Sequence, residues 1–183
     1  FVGHIHKEAS RLVALIEDII RLSELDEAQE IQKEEISLYQ ITTDVFVSLQ
    51  DVAAKRGIVL NLEGTKGMMK GVYRLVYETV YNICDNAIKD NIDGGSVKVF
   101  IADKETEVGI IIEDTGIGIP MEHQSRVFER FYRVDKSHSK KSGGTGLGLS
   151  IVKHAVSYHN GKINLNSEEG KGTKVEIWFP IER

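Results

Sequence analysis

The chain has 183 residues, of which 41% are apolar and 28% charged, a composition typical of ordinary globular proteins. Its formal net charge of -5 at pH 7 argues against nucleic acid as a partner, because neutralising phosphates requires clustered cations. The single cysteine, Cys84, excludes an internal disulfide and fits a reducing compartment. No apolar run approaches the roughly 18 residues of a membrane-spanning helix, so we expect no membrane contact by this chain.

The N-terminal segment, up to about residue 28, has the pattern of one long helix. Its apolar residues recur at alternating spacings of four and three, as in helices that pack together: Ile5, Ala9, Leu12, Ile16 and Ile19. Val13 and Ile20 widen this stripe, which favours a helical bundle. An acidic run from Glu24 to Glu35 marks a linker, so we predict two units, 1–30 and 31–183.

From Ile36 onward, helical and strand patterns alternate. Helices are predicted over about 38–56, 73–88 and 150–158, and strands over 58–62, 97–102, 107–113, 162–166 and 173–179. Because some strands are joined by hairpins and others are separated by helices, we predict an α+β fold in which helices cover a mixed sheet.

A polar stripe follows one face of the helix predicted at 73–88. Glu78, Asn82, Asn86 and Lys89 span roughly 80° of its circumference. A carboxylate, two amides and an amine could hold a metal, orient a water and meet a phosphate. A solvated helix face is the alternative, but asparagine is a poor helix former, which favours a functional stripe.

A glycine-rich turn, Asp114-Thr-Gly116-Ile-Gly118, directly follows an apolar strand. The carboxylate can accept a hydrogen bond from an exocyclic amine such as that of adenine, and the glycines permit close approach of a flat ligand. The alternative is a simple turn that ends the strand.

A second glycine-rich segment, Gly143 to Ser150, opens the last predicted helix. Backbone N–H groups at a helix N-terminus attract anions, although a flexible hinge would have the same composition. The segment matches neither the dinucleotide fingerprint nor a Walker loop. Between the two glycine-rich segments, Phe128 to Arg133 interleaves aromatic residues with arginines, which is typical of a mobile lid or of a surface helix.

In this order the four segments resemble the N, G1, F and G2 boxes of bacterial sensor histidine kinases. The resemblance extends from about Ile36 to the end of the chain, and the first helix is similar to the second helix of the family's dimerisation domain. It implies a Bergerat (GHKL) fold, a two-layer sandwich of a mixed β-sheet and helices preceded by a long N-terminal helix. It also implies a protein-histidine kinase that uses ATP and Mg²⁺.

The resemblance also implies roles for individual residues. Glu78 would be the catalytic base or polariser, Arg133 would meet the terminal phosphate, and Asn82 would bind Mg²⁺. The implied nucleotide-binding residues are Asn82, Asn86, Lys89, Asp114, Gly116, Gly118, Gly144, Thr145, Gly146, Leu147, Gly148, Leu149 and Thr173. Asp90 departs from the family, which commonly has an aromatic residue there, so one stacking contact with the nucleotide is in doubt.

The helix that carries the family's His-Glu-x-x-x-Pro acceptor motif is not recognisable in this sequence, since neither His4 nor His6 fits it. We therefore expect the chain to need a separate histidine-bearing helix. The implied partners are a response regulator receiver domain and a second copy of the parent, which we expect to be membrane-anchored with this domain in the cytoplasm. The alternatives are another ATPase or serine kinase of the superfamily, and a degenerate nucleotide-binding docking module.

Overall fold

The computed structural model describes residues 32–134 and 145–181, together with Ala9, Leu12, Val13, Ile16, Ile19 and Ile20. These six N-terminal residues are helical and solvent-exposed, as expected of an apolar stripe that needs a partner. The predicted unit boundary between residues 30 and 31 lies outside the described residues and stays a prediction. Among the described residues, no helix is long and apolar enough to cross a membrane.

The described part of the chain alternates strands and helices. In chain order these are β1 (Glu34–Ser37), α1 (Leu38–Lys55), β2 (Val59–Gly64), β3 (Met68–Gly71), α2 (Tyr73–Lys89), β4 (Ser96–Asp103), β5 (Glu107–Asp114), α3 (Met121–Gln124), α4 (Gly148–Tyr158), β6 (Lys162–Glu168) and β7 (Gly172–Pro180). The helices and strands predicted from the sequence after Ile36 are all present, with ends shifted by a few residues.

The main sheet has five strands in the order β2-β4-β5-β7-β6. The β2–β4 pair is parallel and the other three pairs are antiparallel, so the predicted mixed sheet and α+β class are confirmed. A separate two-stranded antiparallel sheet joins β1 to β3, and this pair was not predicted.

The core lies between one face of the sheet and the helices α1, α2 and α4. Alternate residues of the three central strands point into it: Val97, Val99 and Ile101; Val108, Ile110 and Ile112; Val175, Ile177 and Phe179. Helix α1 contributes Leu38, Ile41, Val45 and Leu49, and its buried face continues to Ala53 rather than to Val52, which is 41% exposed.

The ends of α1 and α2 follow from local chemistry. The Ser37 hydroxyl accepts the backbone N–H of Gln40 at 3.2 Å, which caps the start of α1. Gly57 adopts a φ of +62° just beyond the end of α1, as a glycine after a helix commonly does. Arg56, beside it, donates hydrogen bonds to the backbone carbonyls of Ile88 and Lys89. The Arg56 guanidinium therefore supplies donors to carbonyls at the C-terminus of α2, which lack N–H partners within the helix.

Candidate functional site

In the polar stripe of α2, Glu78, Asn82 and Asn86 are half-buried, and Asn82 lies beside the start of α4. The Asn82 amide donates to the Glu78 carbonyl at 2.9 Å, which orients its Oδ1 atom away from the helix. A Cβ atom added to Gly148 would lie 3.0 Å from this Oδ1 atom. The Asn82 oxygen thus lies close against the first turn of α4, and it can approach so closely because residue 148 has no side chain.

Lys89 is engaged within its own helix. Its Nζ atom lies 2.6 Å from Oδ2 of Asp85, one turn earlier, and the two side chains are 38% and 17% exposed. The i,i+4 spacing favours such a pair, so this partner could have been found from the sequence. A phosphate bound by Lys89 would have to share or replace Asp85.

Asp114 lies at the end of β5, and one of its carboxylate oxygens accepts two backbone hydrogen bonds. Its Oδ1 atom accepts the backbone N–H of Gly116 at 2.8 Å and of Thr173 at 3.3 Å. Both described bonds use Oδ1, so Oδ2 is the oxygen available to a ligand. Burial raises the pKa of Asp114, the two N–H groups oppose that rise, and the charge of Asp90 adds to it. Thr173 therefore contributes by orienting the carboxylate through its backbone.

The glycines of the Asp114 loop allow the backbone to pack tightly. A Cβ atom on Gly116 would lie 2.5 Å from the carbonyl oxygen of Asp90, and one on Gly118 would collide with the carbonyl oxygen of Glu168. Gly118 also has a φ of +70°, which favours glycine. Protein packing alone thus requires both glycines, and their predicted contact with a nucleotide base stays a prediction.

The other side of the site is formed by the start of α4 and the turn at Phe131. The N–H of Phe131 donates to the carbonyl of Gly146 at 2.9 Å, and the φ angles of these residues are +65° and +77°. The first turn of α4 has no side-chain cap, so its N–H groups remain suited to an anion. The Thr145 hydroxyl accepts the N–H of Leu147 at 3.3 Å, whereas Gly144 lies outside the described residues.

The two leucines of this segment point inward. Leu147 is fully buried in a small cluster with Leu75, Ile151 and Ala155, and Leu149 packs against the main core. Only their backbone atoms are therefore suited to ligand contact, which refines their predicted role.

Several charged side chains lie near Asp90, just beyond the end of α2. The Asp90 side chain is solvent-accessible, yet the protein atoms around its carboxyl group raise its pKa. The charges of Lys89, Arg56 and Arg133 oppose that rise, so Arg133 is within electrostatic range of Asp90. The predicted phosphate-binding cations, Lys89 and Arg133, thus share a neighbourhood that already contains an anion.

The donor set suits a hard cation that is also bound by phosphate. The described residues contain no cluster of three or more His, Cys, Asp or Glu side chains able to hold a metal alone. Mg²⁺ commonly takes one or two protein oxygens and completes its shell with water and substrate phosphates. The amide oxygen of Asn82, next to the uncapped turn of α4, fits that pattern.

Comparison with known proteins identifies the family. The family of histidine kinase-, DNA gyrase B-, and HSP90-like ATPases matches residues 71–183. The sensor protein kinase WalK of Staphylococcus haemolyticus is 32% identical over 100% of this chain, and the match spans 30% of that relative. The chain therefore corresponds to less than a third of the length of that relative.

Solved structures agree with this match. The mycobacterial sensor histidine kinase MprB is 28% identical, with a TM-score of 0.69, over 81% of this chain and 97% of that chain. The catalytic domain of the histidine kinase ThkA is 25% identical, with a TM-score of 0.72, over 82% of this chain and 98% of that chain. The chain belongs to the family of histidine kinase-, DNA gyrase B-, and HSP90-like ATPases, as an ATP-binding catalytic domain of the sensor histidine kinase type.

Proposed function

We propose that this chain transfers the γ-phosphate of Mg-ATP to a histidine on a separate helix of its parent protein. The observation that carries the proposal is the close approach of the Asn82 side-chain oxygen to the uncapped first turn of α4, with Glu78 one turn away on α2. A metal ligand, a phosphate-binding helix end and a carboxylate base are thereby available to one substrate. Phosphoryl transfer depends mainly on such positioning and on charge neutralisation.

Each side chain takes a defined part in this proposal. Oδ2 of Asp114 accepts a hydrogen bond from the adenine amine. The backbone N–H groups of Gly146, Gly148 and Leu149 bind phosphate oxygens, and that of Leu147 does so in exchange for its bond to the Thr145 hydroxyl. Lys89 and Arg133 neutralise phosphate charge, while Asn82 binds Mg²⁺ and Asn86 faces the phosphates. Mg²⁺ supplies further neutralisation of the phosphates when bound. Glu78 polarises the attacking histidine.

The partners are also part of the proposal. The exposed stripe of Leu12, Val13, Ile16, Ile19 and Ile20 supports a helical bundle with a second copy of the parent. The similarity to sensor kinases supports a response regulator receiver domain as the final phosphoryl acceptor. It equally supports a membrane-anchored parent that carries this domain on the cytoplasmic side.

Replacing Glu78 by Gln in the parent protein tests the catalytic role. We expect Mg-ATP to bind with about the wild-type affinity, because the substitution keeps the shape of the side chain. The rate of histidine phosphorylation should fall by about 10²- to 10⁴-fold, the range typical of general acid–base groups. Calorimetry measures the affinity, and labelled ATP with acid-labile product detection measures the rate.

Glu122→Gln is the matched control, since Glu122 is an exposed carboxylate on α3 and should leave the rate unchanged. A Glu78→Gln protein that phosphorylates histidine at the wild-type rate would contradict the proposal. So would a wild-type chain that binds no Mg-ADP at millimolar concentration. Acid-stable phosphate on a partner serine would instead identify a serine kinase of the same superfamily.

A further inference from the structure

A buried asparagine lies just beyond α2. Asn91 is 4% exposed, and its amide group makes every hydrogen bond of which it is capable. Its Nδ2 atom donates to the carbonyls of Ala87 and Ser96, each at 3.0 Å. Its Oδ1 atom accepts the N–H of Ile92 at 2.9 Å and the hydroxyl of Thr115 at 3.1 Å. A buried amide satisfied on all sides has one fixed orientation.

The hydroxyl partner belongs to the Asp114 loop. Oγ1 of Thr115 also accepts the backbone N–H of Ser96 at 2.9 Å, and its proton has Oδ1 of Asn91 at 3.1 Å as a nearer acceptor than the Ser96 carbonyl at 3.5 Å. A Cβ atom on Gly95 would collide with Oδ1 of Asn91 and lie 2.6 Å from Oγ1 of Thr115. Gly95 therefore leaves the space in which these two side chains meet.

Two further contacts hold the same junction. The N–H of Ile117 donates to the carbonyl of Asp90 at 2.9 Å, in addition to the bond between Thr115 and Asn91. The Arg56 guanidinium, at the end of α1, donates to the carbonyl of Asn91 and pairs with Asp93 at 2.9 Å. The turn that carries Asn91 is thus held both by the Asp114 loop and by the end of α1.

We propose that the hydrogen-bonded pair of Asn91 and Thr115 positions Asp114 relative to α2 and so determines how strongly the site prefers adenine over other bases. Thr115 directly follows Asp114, and Asn91 directly follows the segment that carries Asn86 and Lys89. One nucleotide must reach the carboxylate with its base and α2 with its phosphates. A hydrogen bond to the base amine is lost when its length grows beyond about 3.5 Å, so a small shift of the loop is enough to abolish the preference.

This inference rests on the proposed nucleotide site, and a pair of ligands tests it. Inosine diphosphate has a carbonyl oxygen where ADP has the exocyclic amine, so only ADP has a donor at that position, and the N1–H donor of inosine lies one ring atom away. We expect the wild-type chain to bind Mg-ADP at least about tenfold more tightly than Mg-IDP. Thr115→Val keeps the side-chain shape but removes the hydroxyl. It should weaken ADP binding by about five- to tenfold and IDP binding by less than about twofold, so that the ratio of the two affinities approaches one.

Two further variants separate positioning from general stability. Thr42→Val removes a different hydroxyl, one that is fully buried and bonds to the Leu38 carbonyl at 2.7 Å in α1, and should leave the ADP preference unchanged. Thr115→Ser retains the hydroxyl and should retain the preference even if stability falls. The inference is overturned if Thr115→Val keeps the wild-type preference, or if Thr42→Val or Thr115→Ser loses it. A wild-type chain that binds neither nucleotide overturns the proposed function as well, whereas wild-type preference retained in Thr115→Val overturns the role of the pair alone.

Discussion

The two sides of the nucleotide site are built by different means. On one side, the end of α2 is joined to the Asp114 loop by hydrogen bonds between polar groups, such as Thr115 to Asn91 and Ile117 to Asp90. On the other side, α4 approaches α2 and the Phe131 turn where glycines leave out side chains, at Gly146 and Gly148. The first side uses side-chain hydrogen bonds in addition to its own glycines, whereas the second side relies on glycines and one backbone hydrogen bond. The two sides should therefore fail in different ways when mutated.

The largest effect is expected from Asp114→Asn on the hydrogen-bonded side. Because both described hydrogen bonds end on Oδ1, an amide oxygen can keep them and preserve the loop. The amide nitrogen would then replace Oδ2 and oppose the adenine amine with a second donor. Losing a hydrogen bond to a charged group costs about 1.5–3 kcal/mol, so the affinity for Mg-ADP measured by calorimetry should fall by about 10- to 150-fold.

The neighbouring Glu113 supplies the control for this variant. Its side chain is exposed on the open face of the sheet, so Glu113→Gln should bind Mg-ADP like the wild type. Equal affinities for Asp114→Asn and the wild type would show that Asp114 does not contact the base.

A smaller effect is expected from filling space on the other side. Gly146→Ala places a methyl group 3.0 to 3.2 Å from the backbone of Phe131, at a φ of +77°. The strained φ should lower the free energy of unfolding by about 1–2 kcal/mol, and the displaced turn should weaken Mg-ADP binding by about tenfold. Urea denaturation and calorimetry measure the two quantities separately.

Gly170 is the matched control, because its φ is +80° and nothing lies within 4 Å of the added Cβ atom. Gly170→Ala should show the same backbone strain without loss of nucleotide affinity. If both variants lose affinity equally, the contact between Gly146 and Phe131 has no special role in the site.

The sequence predicted those features that depend on periodicity or on local order. Short apolar segments bounded by turn residues, such as 107–113, identified the central strands, and the combination of hairpins with helices between other strands identified a mixed sheet. The β1–β3 pair escaped prediction because strands of four residues, separated by a whole helix, carry too little alternation to be recognised.

Within the site, the sequence predicted residue types better than the atoms that act. Asp114 was expected to bind a ligand, but only the fold shows that Thr173 and Gly116 restrain one of its oxygens. Leu147 belongs to a glycine-rich phosphate segment by pattern, yet its side chain is in the core. Arg56 lies 33 residues from Lys89, whose carbonyl it binds, and no local pattern could connect them.

The smallest expected effect comes from the junction of the two sides, at Asp90. Its pKa is raised in the folded chain, mainly by desolvation, so the folded state holds the proton more tightly than the unfolded state does. The resulting contribution to stability is complete below the unfolded pKa of about 4 and is lost as the pH rises through the folded pKa. Asp90→Asn removes this loss. Its free energy of unfolding should therefore equal that of the wild type in acid and exceed it at neutral pH by less than about 1 kcal/mol.

The same substitution removes an anion from the neighbourhood of Lys89 and Arg133. If these cations bind phosphate, Asp90→Asn should also tighten Mg-ADP binding by roughly two- to fivefold, since a like charge no longer opposes the ligand. Urea denaturation between pH 3.5 and 7.5 and calorimetry at neutral pH check the two expectations. Asp51→Asn, an exposed carboxylate on α1, should change neither. If the free energy of unfolding of Asp90→Asn at neutral pH were below that of the wild type, the attraction of Asp90 to the charges of Lys89, Arg56 and Arg133 would outweigh the desolvation of its carboxylate.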